Sequence, residues 1–218
     1  MAQAIQSERF EGGVPAALPL ALFEAVRAHD TPDEVLEAEN LLKSLPRRFG
    51  LTDVVFTQIR RFEAAQRAGQ PVRLDEVVPL VRLFLRRDDA AGIMHDAGRR
   101  FALWHFQRRP GYLRALYPKL PARLSAVAAA RAIRNAVKLM NAGTAVVVSR
   151  IPLHVRIDGC LTPRIAENGA ACPLITGMIQ EQLRLFTGRT VRVTQSSCAK
   201  DGGACEWTAA PGDAPGDA

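Results

Sequence analysis

The sequence predicts an α+β fold in which N-terminal helices precede an antiparallel sheet with one helix packed against it. Two observations carry this. Apolar residues recur at helical spacing up to Gly143, and from Thr144 onward the period shortens to two. The later segments then run strand, strand, helix, strand, strand, an order that pairs antiparallel neighbours. A chain of 218 residues, 48% of them hydrophobic, can bury a core without disulfide staples. Three parts are expected: a helical region over 1–84, the main domain over 85–208, and a disordered tail over 209–218 that repeats Ala-Pro-Gly-Asp.

The elements follow in order. The first fifteen residues read as loosely ordered. "TPDEVLEAENLLKSL" (31–45) opens a helix with a capping box, Thr31 as cap, Pro32 in the first turn and Glu34 three residues on. "TDVVFTQIRRFEAAQRAG" repeats the pattern between Thr52 and Gly69. "LDEVVPLVRLFLRR" is a helix that Pro79 kinks or divides. "DDAAGIMHDAGRRFALWHFQ" is another, and its Gly92 and Gly98 mark places where a second element comes close. A Pro-rich joint, "RRPGYLRALYPKLPARL", leads to an alanine-rich helix over 125–143. On that helix Ile133, Val137 and Met140 fall on one side and Arg131, Arg134 and Lys138 on another. "TAVVVSRI", "PLHVRIDG", "RTVRVTQSS" and "CEWTAA" read as strands, with the helix "CPLITGMIQEQLRLFTG" between the second and third, closed by Gly188.

The charge is uneven. The net charge is +7, yet residues 99–164 carry thirteen Lys/Arg and one acid, Asp158. Such a stretch holds nucleic acid, anionic lipid or an acidic small ligand, or is a solvated arginine-rich face. Nucleic acid is the weaker partner, because no helix-turn-helix spacing, RNP motif or paired zinc finger accompanies the charge. No apolar run reaches membrane-spanning length, and "VPAALPLALFEAV" is interrupted by Pro15 and Pro19. We therefore expect a cytoplasmic, non-transmembrane protein with reduced thiols.

All four cysteines, Cys160, Cys172, Cys198 and Cys205, lie in the last quarter of the chain, spaced C-x11-C, C-x25-C and C-x6-C. There is no C-x-x-C, which argues against a zinc ribbon or thioredoxin-type pair. Cys198 and Cys205 bracket a short Asp-Gly-Gly loop that brings both sulfurs toward one point. Cys172 begins a helix, a position that lowers a thiol's pKa and favours a thiolate ligand. A closed thiolate site for zinc and a set of reduced, partly buried core cysteines are both compatible with this spacing.

The run "ACPLITGMIQEQLRLFTGRTVRVTQSSCAKDGGACEWT" resembles the C-terminal signature of the 4-vinyl-reductase domain family: a cysteine-led helix carrying Gly, then G-x-x-V-x-V, then two cysteines around a turn and an aromatic strand. "AGRRFALWHF", "LPARLSAVAAARAIRNAV" and "IDGC" look like its bacteriochlorophyll-biosynthesis members, so that the likeness spans about residues 85–208. The resemblance implies a ligand-binding fold, a homodimer, and a hydrophobic cavity between helices and sheet. It also implies a structural zinc site at Cys172, Cys198 and Cys205. The glutamate that completes the site in relatives is replaced here by Gln195, and Cys160 is the natural substitute.

A vinyl reductase needs a hydride source, and the chain has no G-x-G-x-x-G, so no nicotinamide or flavin fingerprint of that type. The reading is therefore a binder of a porphyrin or chlorin intermediate, an accessory or carrier in bacteriochlorophyll biosynthesis that meets the pathway's enzymes. A sensor of a hydrophobic effector, or a reductase served by a separate electron donor, are the alternatives. The expected pocket rim combines aromatic residues with arginines: Phe101, Trp104, His105, Arg108, Arg109, Tyr112 and Arg114. Aromatics offer flat surfaces to a macrocycle, and a guanidinium pairs with a propionate. His105 is a candidate ligand for a central magnesium or a packed helix histidine. No catalytic residue is assigned.

Overall fold

The change of period at Thr144 is where the sheet begins. The computed structural model describes residues 12–30, 53–150, 153–166, 169–198 and 204–211. The strands β3 (Thr144–Arg150), β4 (Leu153–Asp158), β5 (Val191–Cys198) and β6 (Cys205–Pro211) form one antiparallel sheet in the order β3-β4-β6-β5. Alternation places Leu153, Val155 and Ile157 of β4 and Cys205, Trp207 and Ala209 of β6 in the core. The fold class is thus α+β, as the sequence predicts.

Ahead of the sheet come α1 (Ala17–Asp30), α2 (Asp53–Arg67), α3 (Leu74–Phe84), α4 (Ala90–Gln107), α5 (Gly111–Leu116) and α6 (Ala122–Leu139). Pro79 lies inside α3, which continues through it as one helix. Two short strands, β1 (Gly13–Pro15) and β2 (Pro71–Arg73), pair antiparallel in a separate small sheet that the sequence pattern did not mark. The Pro-rich joint forms α5 and a 3₁₀ turn at Tyr117–Lys119, and α6 starts at Ala122 rather than Ser125. Ile133, Val137 and Met140 are buried. α7 (Thr162–Ile165) is a single turn before α8 (Cys172–Thr187), which ends on the left-handed Gly188.

The helix expected over 31–45 lies outside the described residues. Of the tail expected over 209–218, Ala209 pairs with Leu153 and Val193 and the strand continues to Pro211, and residues 212–218 lie outside the described residues. One hydrophobic core runs from Val14 to Ala209 and crosses the expected boundary at residues 84 and 85.

The closest helix contact joins α4 to α8. A Cβ added at Gly98 would strike the Leu174 carbonyl and the Met178 amide, and one added at Gly177 would strike the His95 carbonyl. The backbones themselves are in contact, so only glycine fits at either point. Gln182 strengthens the seam: its amide Nε2 donates to the Ala102 carbonyl at 3.4 Å and to His105 Nδ1 at 3.0 Å. On its other side α8 is tied to the sheet by Trp207, whose Nε1 donates to Thr176 Oγ1 at 3.0 Å. Because the obstacle at Gly98 is backbone, Gly98→Ala is expected to cost at least about 2 kcal/mol in urea unfolding. An exposed control such as Gly111→Ala, beside only the Arg114 guanidinium, should change stability by less than about 1 kcal/mol.

Candidate functional site

The first site is the cysteine cluster at the start of α8. Register places Cys198 directly opposite Cys205 across β5 and β6, and α8 delivers Cys172 from above. The Cys172 sulfur is 3.6 Å from that of Cys198, and Cys205 is 3.7 Å from Cys198. The three sulfurs lie within 4.8 Å of one another. Cys160 borders the triple without joining it. Its sulfur is 3.2 Å from Thr162 Oγ1, which is in turn 3.2 Å from the Cys172 sulfur. Thr162 is buried and was not singled out by the sequence, where a lone threonine after a turn carries no signal. Gly169 backs onto the group: a Cβ there would sit 3.2 Å from the Cys198 sulfur and 3.6 Å from that of Cys172.

The electrostatics reverse one expectation. Cys172 is the first residue of α8, where the helix end favours thiolate. Burial nevertheless pushes its thiol up to about 11; hydrogen bonds from Thr162 and Gln195 oppose the rise and Cys198 adds to it. Burial also raises the Cys205 thiol, reinforced by Cys160 and Cys198. Cys172 and Cys205 are buried and Cys198 is exposed, and sulfurs this close do not all ionise unless a cation sits among them. The spacing of Cys172, Cys198 and Cys205 permits them to be ligands of one metal ion.

The second site is a pocket of about 510 Å³ at the C-terminal ends of α4 and α6. Trp104, His105, Arg108 and Arg109 line it, together with the β1 segment Gly13–Ala16, Gln66 and Gln70 near β2, and Lys138 and Leu139. Its volume lies within the range of small-molecule sites, roughly 300–1,000 Å³. No acidic residue is among its lining residues. Among the described residues, no carboxylate pairs with Arg108, Arg109 or Lys138. The lining from β1, Gln66, Gln70 and Lys138 was missed because these residues are distant in sequence, and Lys138 reads as an ordinary solvent-facing helix lysine.

The other expected rim residues lie elsewhere. Phe101 is fully buried behind Trp104, with ring centroids 5.3 Å apart. Tyr112 and Arg114 sit on α5, outside the pocket lining. The Arg108 guanidinium covers Trp104, 5.1 Å from its ring centre. Arg109 is stacked over Phe186 at 5.0 Å and Tyr117 at 5.6 Å, and its buried Nε has no hydrogen-bond partner among the described residues. His105 receives the Gln182 amide on Nδ1, so its neutral ring carries the proton on Nε2. Burial, aided by Arg109 and Arg108, lowers His105 to about 4.

A second, smaller cavity lies among the helices and takes no lining residue from the four-stranded sheet. This apolar void, bordered by Leu18, Val77, Met140, Thr162 and Ile175, measures about 20 Å³, room for little more than a water molecule. The 510 Å³ pocket takes no lining residue from β3, β4, β5 or β6. Among the described residues no helix is long and apolar enough to cross a membrane.

No family model matches the chain, and no curated protein matches it. Among solved structures, it is similar to a vinyl-4-reductase family protein from Methanocaldococcus jannaschii, with 13% identity and a TM-score of 0.38 over 90% of this chain and 93% of that one.

His105 gives a pH prediction. Its folded value of about 4 lies below the ordinary 6.5, so the unfolded chain binds the extra proton in that window. The contribution of neutral His105 is complete above pH 6.5 and is lost as pH falls toward 4. Melting temperature should therefore fall more steeply over that interval in the native chain than in His105→Asn.

Proposed function

We propose that this chain is a small-molecule-binding protein of the 4-vinyl-reductase type. It holds a porphyrin or chlorin intermediate as a carrier or accessory in bacteriochlorophyll formation and does not itself carry out the reduction. One observation supports it most: the pocket at the ends of α4 and α6 combines Trp104 with Arg108, Arg109 and Lys138, and no acid is among its lining residues. That chemistry suits a flat, apolar ligand bearing a carboxylate. The guest sits at the helix ends.

The pocket's own side chains divide the work. Arg108 exchanges its contact with the Trp104 ring for a charge-assisted bond to the ligand carboxylate, which leaves the indole face to the macrocycle. Arg109 is held in place by Phe186 and Tyr117 and keeps positive charge at the pocket wall. His105, with its proton on Nε2, acts as a hydrogen-bond donor and not as a magnesium ligand. Within this reading the cysteines hold a structural zinc. The edge of a tetrahedral zinc–thiolate shell is about 3.8 Å, from a zinc–sulfur bond of about 2.3 Å. The sulfur separations of 3.6 and 3.7 Å match it. Cys172, Cys198 and Cys205 would be three ligands, with Cys160 moving in as the fourth, and zinc would stabilise the thiolates that burial disfavours.

Two measurements test this reading. Titration with protochlorophyllide or a dicarboxylic porphyrin is expected to shift the pigment's absorption without turnover when NADPH is added. Arg108→Ala combined with Arg109→Ala should weaken binding by about tenfold or more. Turnover with NADPH would favour the reductase alternative, and an absent shift would refute the ligand class. Freshly purified protein should retain zinc. Cys205→Ser should lose it, together with ~3 kcal/mol of apparent stability in zinc-containing buffer.

A further inference from the structure

Between Arg108 and Leu124 no residue is fully buried and only Tyr117 packs against the core, yet the stretch is rich in large apolar side chains. α5 buries none of its six residues. Tyr112 is 73% exposed, Leu116 47% and Leu124 55%. Tyr112 and Leu116 are four apart on one helix and share a face. Solvated loops do not normally offer such side chains in succession.

The conformation is nonetheless fixed. Tyr117 packs on Phe186 with ring centroids 4.5 Å apart and on Phe106 at 6.2 Å. Arg109 Nη1 donates to the Tyr117 hydroxyl at 3.3 Å. Pro118 abuts the end of α8, where a Cβ on Gly188 would meet it at 3.2 Å. α5 is therefore held out from the body by anchors at both of its ends, and Pro110 and Pro121 set where it and α6 begin.

Charge selects the occupant. Arg108, Arg109, Arg114, Lys119 and Arg123 all fall in this stretch, and the chain has no acidic residue between Asp96 and Asp158. At the end of the packed α8, Arg189 is exposed, while Arg184 is engaged with Glu181, which Arg99 also approaches. A second copy of this surface would bring cation against cation. An uncharged apolar partner would set the exposed Arg114, Lys119 and Arg123 against a surface that offers them no charge. A surface that is both anionic and penetrable by Tyr and Leu side chains satisfies both requirements, with the arginine and lysine stems lying along the interface.

We infer that residues 110–124 form a docking surface for an anionic lipid bilayer, with Tyr112, Leu116 and Leu124 inserting at the headgroup boundary and Arg114, Lys119 and Arg123 pairing with lipid phosphates. Arg108 and Arg109 also line the pocket, so docking places its mouth beside the membrane. The inference stands on this surface alone and does not depend on the pocket's ligand.

The test is cosedimentation of the purified full chain with vesicles of phosphatidylcholine, alone or mixed equally with phosphatidylglycerol. The native chain is expected to pellet with the mixed vesicles, to stay in solution with phosphatidylcholine alone, and to be released by high salt. Tyr112→Ser combined with Leu116→Ser, and separately Arg114→Glu, should each lower partitioning by roughly tenfold. Their melting curves should be unchanged, since α5 buries nothing. Failure of the native chain to pellet, equal pelleting of the variants, or equal affinity for both vesicle types would overturn the inference. Retention by polyglutamate without vesicle binding would assign the surface to an acidic protein instead.

Discussion

The contact of α4 with α8 through Gly98 and Gly177 is the constraint from which both sites follow. Two backbones in direct contact leave no freedom for the helices to slide or roll. One end of α4 supplies Trp104, His105, Arg108 and Arg109 to the pocket, and the N-terminus of α8 supplies Cys172 to the sulfur cluster. The same seam carries Gln182, which fixes the His105 tautomer. The pocket and the cluster are thus opposite ends of one rigid pair of helices. Trp207 and the paired Cys198 and Cys205 fasten that pair to the sheet.

Charge gives the molecule its direction. The basic stretch does not spread evenly: part of it enters the pocket as Arg108, Arg109 and Lys138, and part projects on α5 and the start of α6. Arg109 links the two, stacked on Phe186 and Tyr117 where pocket wall and outward segment meet. His105 responds to the same field, since the two arginines add to the burial that keeps it neutral. A cationic pocket beside an apolar, cationic surface is suited to a ligand that is itself partly apolar and anionic.

Much of this was legible in the residues because it is local. The period-two strands and the Gly-closed helix at 172–188 are patterns of neighbouring residues, and Gly98 marks a close approach without naming its partner. Cys198 and Cys205 could be placed together because a hairpin leaves them few alternatives. Cys172 was a candidate ligand from its place at a helix start, and the family resemblance set it beside them. The helix-end argument for a low Cys172 pKa did not take account of burial, which pushes the thiol up against the hydrogen bonds from Thr162 and Gln195. The floor of the pocket was not legible. β1 and β2 are three residues each, both carry proline, and they meet only in the folded chain. Tyr112 and Arg114 belonged with Trp104 in sequence, but the proline that starts α5 turns them away from the pocket.

The most direct test of the central claim, that a guest is received at the helix ends and not in the interior, is a crystal structure of the chain with a dicarboxylic porphyrin bound. The ring is expected against Trp104, with a carboxylate in salt-bridge contact with Arg108, Arg109 or Lys138. A macrocycle found between α8 and the sheet, beside Cys172 in an opened interior, would contradict it.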